Sequence, residues 1–272
     1  MAKSVLITGA SSGFGKETAK LFNQHGWNVI ATMRSPEKEE ELNQLQNVLV
    51  TRLDVQDIDS IRQAVKAGVE KFGGINALIN NAGYGLMGVF ESADRERIKN
   101  QYEVNVFGLM DVTQAVLPHL RAAGGGAIIN ISSFGGVVAL PYGSLYNSTK
   151  FAVEGLSESL SFELAPLNII VKIVEPGSVA TNFRNTREAI PTDIADYGEA
   201  AFNKFFGRFS AVTGQLPKAS ATDVAATIYE AVTDGQPRLR YVVGDDAQFF
   251  IDLKMNNTAD DFVKLMHENF VN

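Results

Sequence analysis

A doubly wound parallel α/β sheet in a single domain, residues 1–272, is the fold class this sequence predicts. Three observations carry that prediction. Short, nearly continuous apolar runs alternate with amphipathic stretches along the chain, as do strands covered on both faces by crossover helices. A glycine-rich turn, Thr8-Gly9-Ala10-Ser11-Ser12-Gly13-Phe14-Gly15, separates the first apolar run from the first helical pattern. At 272 residues, with 24 glycines and 45% hydrophobic content, the chain has the size and turn composition of one large α/β unit.

The elements follow in order. Lys3 to Thr8 is apolar and β-branched and reads as the first strand, and Lys16 to Gly26 as the first helix. Further strands are expected at Asn28–Thr32, Val48–Val55, Ala77–Asn80, Ala127–Ile131 and Ile169–Val174, and helices at about 57–72, 94–121 and 146–166. EKEEE at 37–41 reads as the solvated first turns of a helix, with Ser35 as N-cap and Pro36 at the first position. Past Thr181 the rhythm breaks, and 184–217 reads as an irregular insert containing Phe202, Phe205, Phe206 and Phe209. Long connections of this kind serve as lids or pocket walls. The alternative is an amphipathic helix packed on the core or on a neighbouring subunit. Residues 218–272 then supply a helix (Ser220 to Asp234), a last strand (Leu239 to Val243) and a tail of mixed helical pattern.

Strand, glycine turn, helix is the context in which backbone N–H groups and a helix N-terminus hold a pyrophosphate. The spacing here is G-x-x-x-G-x-G rather than G-x-G-x-x-G. A glycine-rich hairpin or cap without a ligand is the bland alternative. In a doubly wound sheet the ligand lies across the carboxyl ends of the strands, at the point where strand order reverses.

Tyr146 and Lys150 stand four apart in LYNSTKFAVEGL, with Ser133 thirteen residues upstream of the tyrosine. Four helical residues rise roughly 6 Å and return to one face. A fixed ammonium beside a phenol favours phenolate and draws its pKa toward neutrality, which suits proton exchange with a hydroxyl or carbonyl. Without the glycine turn, the same pair is an ordinary helix-surface tyrosine and a solvated lysine.

Composition narrows the field. The net charge of −7, with no basic stripe, argues against a nucleic-acid partner. With no cysteine there is neither a disulfide nor a thiolate metal site. His25, His119 and His267 have no ligand spacing, so no metal is expected. The first strand begins almost at Met1, which leaves no room for a signal peptide, and no apolar run approaches the ~20 residues of a membrane span. The expectation is a soluble cytoplasmic protein.

These motifs together resemble the short-chain dehydrogenase/reductase family over residues 3 to about 185: TGASSGFG at 8–15, Asp54, NNAG at 80–83, Asn105, Ser133, Tyr146, Lys150 and PGSVAT at 176–181. ATMR at 31–34, AGYGLMG at 82–88 and LYNSTKFAVEGLSESL at 145–160 look most like the branch with 17β-hydroxysteroid and retinol dehydrogenases. The resemblance implies a catalytic set of Asn105, Ser133, Tyr146 and Lys150. Tyr146 would exchange the proton, Ser133 orient the carbonyl oxygen with Ser132 as its alternative, and Lys150 also bond the nicotinamide ribose. Asn105 would hold a water linking Lys150 to solvent. It sits in a stretch that reads as helix, where asparagine is a poor former, so a structural role bonding backbone near a kink stays open.

For the cofactor, the resemblance implies Gly9, Ser11, Ser12, Gly13, Phe14 and Gly15 around the phosphates. Asp54 with Val55 would lie at the adenine, although Asp54 could equally cap the helix near Asp57. Asn81, Ala82 and Gly83 would support the adenosine ribose. Pro176 and Gly177 would re-aim the chain so that Val179 and Thr181 hold the carboxamide. After the second strand the chain reads Ala31-Thr32-Met33-Arg34 with no acid before Glu37, which favours NADP(H) over NAD(H), with Arg34 at the 2′-phosphate. As a bare residue, Arg34 could be a solvated loop cation.

The expected protein interconverts a carbonyl and a secondary alcohol on an apolar, steroid- or retinoid-like substrate, as a homodimer or homotetramer. The rivals are an NAD(H)-dependent dehydrogenase of a small alcohol, a nucleotide-sugar epimerase or dehydratase, and a non-catalytic NADP-binding sensor. The epimerase pattern G-x-x-G-x-x-G is missing from this chain.

Overall fold

The computed structural model describes residues 2–179, 187–197 and 199–271. Its frame is a seven-stranded sheet, every pairing parallel, in the order β3-β2-β1-β4-β6-β7-β9. The strands are β1 (Ser4–Ile7), β2 (Asn28–Met33), β3 (Val48–Arg52), β4 (Ala77–Asn80), β6 (Gly126–Ile131), β7 (Ile169–Pro176) and β9 (Arg240–Val243). Strand order reverses between β1 and β4, so their carboxyl ends open a crevice there.

Successive strand residues point to opposite faces, and both faces are covered. Val5, Ile7, Val29 and Ala31 pack with Phe22 and Trp27 beside α1 (Gly13–Gln24) and with Val224 and Ile228 of α7 (Ala221–Thr233). Leu6, Ile30 and Leu78 turn the other way, onto Ile61 and Val65 of α2 (Ile58–Phe72) and Val112 and Val116 of α4 (Gly108–Ala122). The parallel register Ser4↔Asn28 through Ile7↔Ala31 brings the ends of β1 and β2 level beside the glycine turn.

Several expected elements take a different form. The helix at 94–121 is α3 (Arg95–Tyr102) and α4 joined by one π-helical turn, Glu103–Phe107, in which Asn105 sits. The third strand stops at Arg52, three residues short of Val55. The acidic run at 37–41 does not open a long helix. Pro36–Lys38 is a single 3-10 turn after Ser35, and Glu39 turns inward, accepting N–H bonds from Glu41 and Leu42 at 3.0 and 2.9 Å. Its carboxylate lies 3.0 Å from Lys16 Nζ, and Glu39 is buried within an otherwise exposed run.

The insert is not irregular where it is described. It contains β8 (Arg187–Ile190) and α6 (Glu199–Thr213). Phe202, Phe205, Phe206 and Phe209 follow the i, i+3, i+4, i+7 spacing of one helix face. Phe205 is buried in a cluster with Phe134, Phe250 and Phe270. β8 pairs in parallel with β5 (Gly85–Gly88), forming a second, two-stranded sheet that the sequence reading did not foresee. The tail forms α8 (Asp245–Met255), α9 (Ala259–Met266) and a closing π turn. Among the described residues no helix is long and apolar enough to cross a membrane.

Candidate active site

The glycine turn is bound to the end of β4 by one threonine and one asparagine. Thr8 Oγ1 accepts the N–H groups of Asn81 and Ala82, both at 3.0 Å. Asn81 Nδ2 donates to the carbonyls of Thr8 (2.9 Å) and Gly9 (3.1 Å). Gly9 and Gly13 take φ of +68° and +54°, backbone that L side chains rarely adopt. At Gly15 a Cβ would stand 2.4 Å from Gly9 O and 2.6 Å from Asn81 Nδ2. Ser12 precedes α1 without making a side-chain cap, and the first turn carries no acid. Orphan N–H groups at an uncapped helix start, behind a turn with no side chain at positions 9, 13 and 15, fit a pyrophosphate. Ser11 and Ser12 are exposed at this mouth, while Phe14 packs on the core.

Farther along the crevice, Arg34 is exposed one residue beyond β2. The nearby ammonium of Lys16 is already paired with Glu39 and with Glu41 at 3.1 Å. Asp54 does not cap α2; Asp57 does, through Asp59 N and Ser60 N at 3.1 Å each. Asp54 Oδ1 instead accepts Gln56 N at 3.1 Å. The Val55 side chain is buried against Gly108, where an added Cβ would approach it to 2.7 Å.

At the other end lie the tyrosine and lysine, on α5 (Ser144–Leu164). Lys150 is buried and donates from Nζ to Ile131 O at 2.8 Å. Burial pushes its pKa down to about 8, opposed by the Glu154 carboxylate one turn on. Its Nζ is 5.8 Å from the centre of the half-buried Tyr146 ring. Ser133 extends from the end of β6, its Oγ accepting Gly135 N at 3.0 Å. A Cβ on Gly135 would stand 3.4 Å from Ser133 Oγ and 3.5 Å from Tyr146 Cε1, so hydroxyl and ring border one small space. Ser132 Oγ faces elsewhere, toward Gly136, where an added Cβ would meet it at 2.6 Å and Glu154 Cγ at 3.0 Å.

Asn105 uses its amide on protein. Oδ1 accepts Tyr84 N at 3.0 Å, and Nδ2 donates to Tyr84 O (2.9 Å) and Thr149 Oγ1 (3.1 Å). Two of these three bonds go to the Tyr84 backbone, from the π turn that holds Asn105. The same amide still borders the lysine: a Cβ on Gly83 would be 3.2 Å from Asn105 Oδ1 and 3.8 Å from Lys150 Nζ.

Pro176 ends β7, and Gly177 and Val179 lie in the turn beyond it. Ser178 N donates to Asp246 Oδ2 at 2.7 Å, and a Cβ on Gly177 would stand 2.0 Å from Asp246 Oδ1. Thr181 lies outside the described residues. Two residues that shape the site escaped sequence reasoning. Asp246 is fully buried and holds the Gly177–Ser178 turn from α8. Asn147 Nδ2 ties Gly135 O and Val138 O to α5 at 2.6 and 2.9 Å, fixing the loop that follows Ser133. An asparagine inside a helix next to Tyr146 was the available signal for the second. A cavity of about 260 Å³ is bordered by Val89, Phe90, Pro141, Tyr142, Phe205 and Ser144, the first residue of α5. Tyr142 holds φ of +59° and meets Phe202 edge-on at 5.1 Å.

Comparison with known proteins agrees with this geometry. The profile described as short chain dehydrogenase matches residues 3–191. The chain is 44% identical over 183 residues to a 3-ketodihydrosphingosine reductase of Bacteroides thetaiotaomicron, covering 67% of this chain and 66% of that protein. It is 36% identical over 190 residues to human retinol dehydrogenase 8, covering 66% and 60%. A solved short-chain dehydrogenase from Streptomyces avermitilis superposes with a TM-score of 0.84 at 32% identity, over 98% of this chain and 96% of that one.

Proposed function

The chain belongs to the short chain dehydrogenase family, and on that premise we propose that it is an NADP(H)-dependent enzyme interconverting an apolar ketone and its secondary alcohol. One observation carries the reading: the buried Lys150 ammonium lies 5.8 Å from the Tyr146 ring while Ser133 Oγ borders the same space. When bound, the nicotinamide supplies or accepts the hydride. The chain's own residues do the rest. Tyr146 gives its proton to the developing alkoxide in reduction and takes it back in oxidation. Lys150, wrapped in protein, favours the phenolate form by its charge. Ser133 donates to the carbonyl oxygen, a bond that strengthens as negative charge grows there. Asn105 keeps Tyr84 in place and its Oδ1 beside Lys150. Gly9–Gly15 would cradle the phosphates, Asn81 to Gly83 would border the adenosine ribose, and Asp54 and Val55 the adenine.

NADP(H) is favoured because the exposed cation after β2 is Arg34, and because Glu39, the buried acid in that region, is already bonded to Lys16 and to backbone. An apolar substrate, steroid- or retinoid-like in bulk, is favoured by the aromatic cavity and by the phenylalanine face of α6, which would act as a pocket wall. The reading includes a cytoplasmic homodimer or homotetramer, to be checked by sedimentation. Steady-state kinetics with both coenzymes test the core of it. Arg34→Ala should raise KM for NADPH at least tenfold and leave NADH unchanged, and Tyr146→Phe should lower kcat by about 10²–10⁴. A preference for NADH unaffected by Arg34→Ala, or full turnover without the Tyr146 hydroxyl, would overturn it.

A further inference from the structure

Asp246, in the first turn of α8, is buried and has no part in the proton chemistry above. Its two oxygens accept two backbone donors. Oδ2 takes Ser178 N at 2.7 Å, in the turn after β7, and Oδ1 takes Ala247 N at 2.9 Å, in its own helix. Two glycines leave the side chain its space: a Cβ on Gly177 would stand 2.0 Å from Oδ1, and one on Gly244 would stand 2.9 Å from it. The turn is also tied to β9, where Gly177 N donates to Val243 O at 2.8 Å. α8 is itself fixed, because the buried Phe250, one turn on, stacks on Phe134 at 5.7 Å and on Phe209 at 5.4 Å.

The sheet places that turn in one half of the crevice. Ser132 N donates to Val174 O at 2.9 Å, and Lys150 Nζ donates to Ile131 O at 2.8 Å. The end of β6 that carries Ser133 and receives the lysine therefore lies beside the end of β7. A dinucleotide spans such a crevice with one half over each set of strands. With the phosphates at the β1 turn and Arg34 beyond β2, the nicotinamide half would fall to β4, β6 and β7.

We infer that Asp246 is a positioning residue for the nicotinamide half of the coenzyme: its carboxylate, bonded on both arms, fixes the Gly177–Ser178 turn in the shape that receives that half. The inference rests on the proposed coenzyme role, but its test does not depend on turnover. Both groups bonded to the side chain are N–H donors, and only a carboxylate offers an acceptor to each. In Asp246→Asn, which has nearly the same size, one donor must face the amide NH2 and give way. Calorimetric titration compares NADPH with 2′-phospho-ADP-ribose, the same molecule without its nicotinamide. Asp246→Asn should weaken NADPH about tenfold, the loss of one bond to a charged acceptor, and leave 2′-phospho-ADP-ribose unchanged. The fluorescence of bound NADPH should move toward that of the free coenzyme. Asp246→Ala, with no acceptor for either donor, should show the same split more strongly. Equal losses for the two ligands, or no loss of NADPH affinity in the folded variants, overturn the inference. In the parent protein the Ser178 amide should resist hydrogen exchange before coenzyme is added, and a freely exchanging amide overturns the inference even if neither variant folds. If the parent binds NADH more tightly, NADH and ADP-ribose replace the pair, and a split then sustains the inference while cancelling the coenzyme preference. A split in a protein that reduces no ketone leaves the inference standing and removes the proposed function alone.

Discussion

At the scale of single residues, the crevice depends on atoms that are missing as much as on those present. Gly15 lies in the first turn of α1, where alanine ordinarily stabilises a helix by about 1 kcal/mol. Here the added methyl would stand 2.4 Å from a carbonyl oxygen that cannot swing aside, and overpacking of that kind costs about 1–3 kcal/mol. The steric cost exceeds the propensity gain. Gly15→Ala should therefore lower the melting temperature and weaken NADPH binding, read by calorimetry and by coenzyme fluorescence, and a stabilised variant that binds normally would contradict this account. Tyr146, Lys150 and the glycines could be read from the sequence because their chemistry depends on local spacing. Asp246 could not, because it acts on a turn from another element and a lone polar residue carries no such address.

At the scale of elements, caps and kinks decide where the helices lie. Asp57 starts α2, and bonds from Ser60 N, then the Arg52 guanidinium, hold its carboxyl below the usual aspartate range. A carboxyl lowered in the folded state stabilises above its unfolded pKa, and that contribution is lost as pH falls through the folded value. Asp57→Ala should lower the melting temperature at pH 7, with the difference from the parent protein shrinking at pH 3, as calorimetry would show. An equal difference at both pH values would mean that the cap acts through packing instead. Strands and helices of the sheet were legible because their apolar periods are long and regular. The break at Asn105 was visible only as a misfit, an asparagine inside a helical run, and the π turn is its physical form: the amide grips Tyr84 and Thr149 instead of leaving the helix ladder intact. The insert misled because glycine and proline at its edges interrupt the rhythm, while the phenylalanine spacing within it was already helical.

At the scale of the whole molecule, the parallel sheet gives the coenzyme a bed formed from distant stretches of sequence, so binding should be felt as global stability. At about 100 times its Kd, NADPH should stabilise the protein by about 2.7 kcal/mol, which for a chain of this size is a rise of roughly 5–10 °C in melting temperature. NADH at the same concentration should raise it less, and equal shifts would argue against the role given to Arg34. The doubly wound parallel class followed from alternation, whereas the small second sheet did not, since Gly85–Gly88 is too short and glycine-flanked to announce a strand.

That small sheet joins two regions far apart in the chain. Its backbone bonds couple Gly85–Gly88 to Arg187–Ile190, and Arg97 Nη2 reaches across to Ala189 O at 2.9 Å. Tyr84, immediately before it, is clasped by Asn105, whose own neighbour is the buried lysine. The small sheet and the buried lysine are thus linked through Tyr84 and Asn105. Anyone seeking to re-tailor this catalyst for a different guest would have to transplant both halves of the seam, because exchanging one alone would tear the fabric that keeps Asn105 in its place.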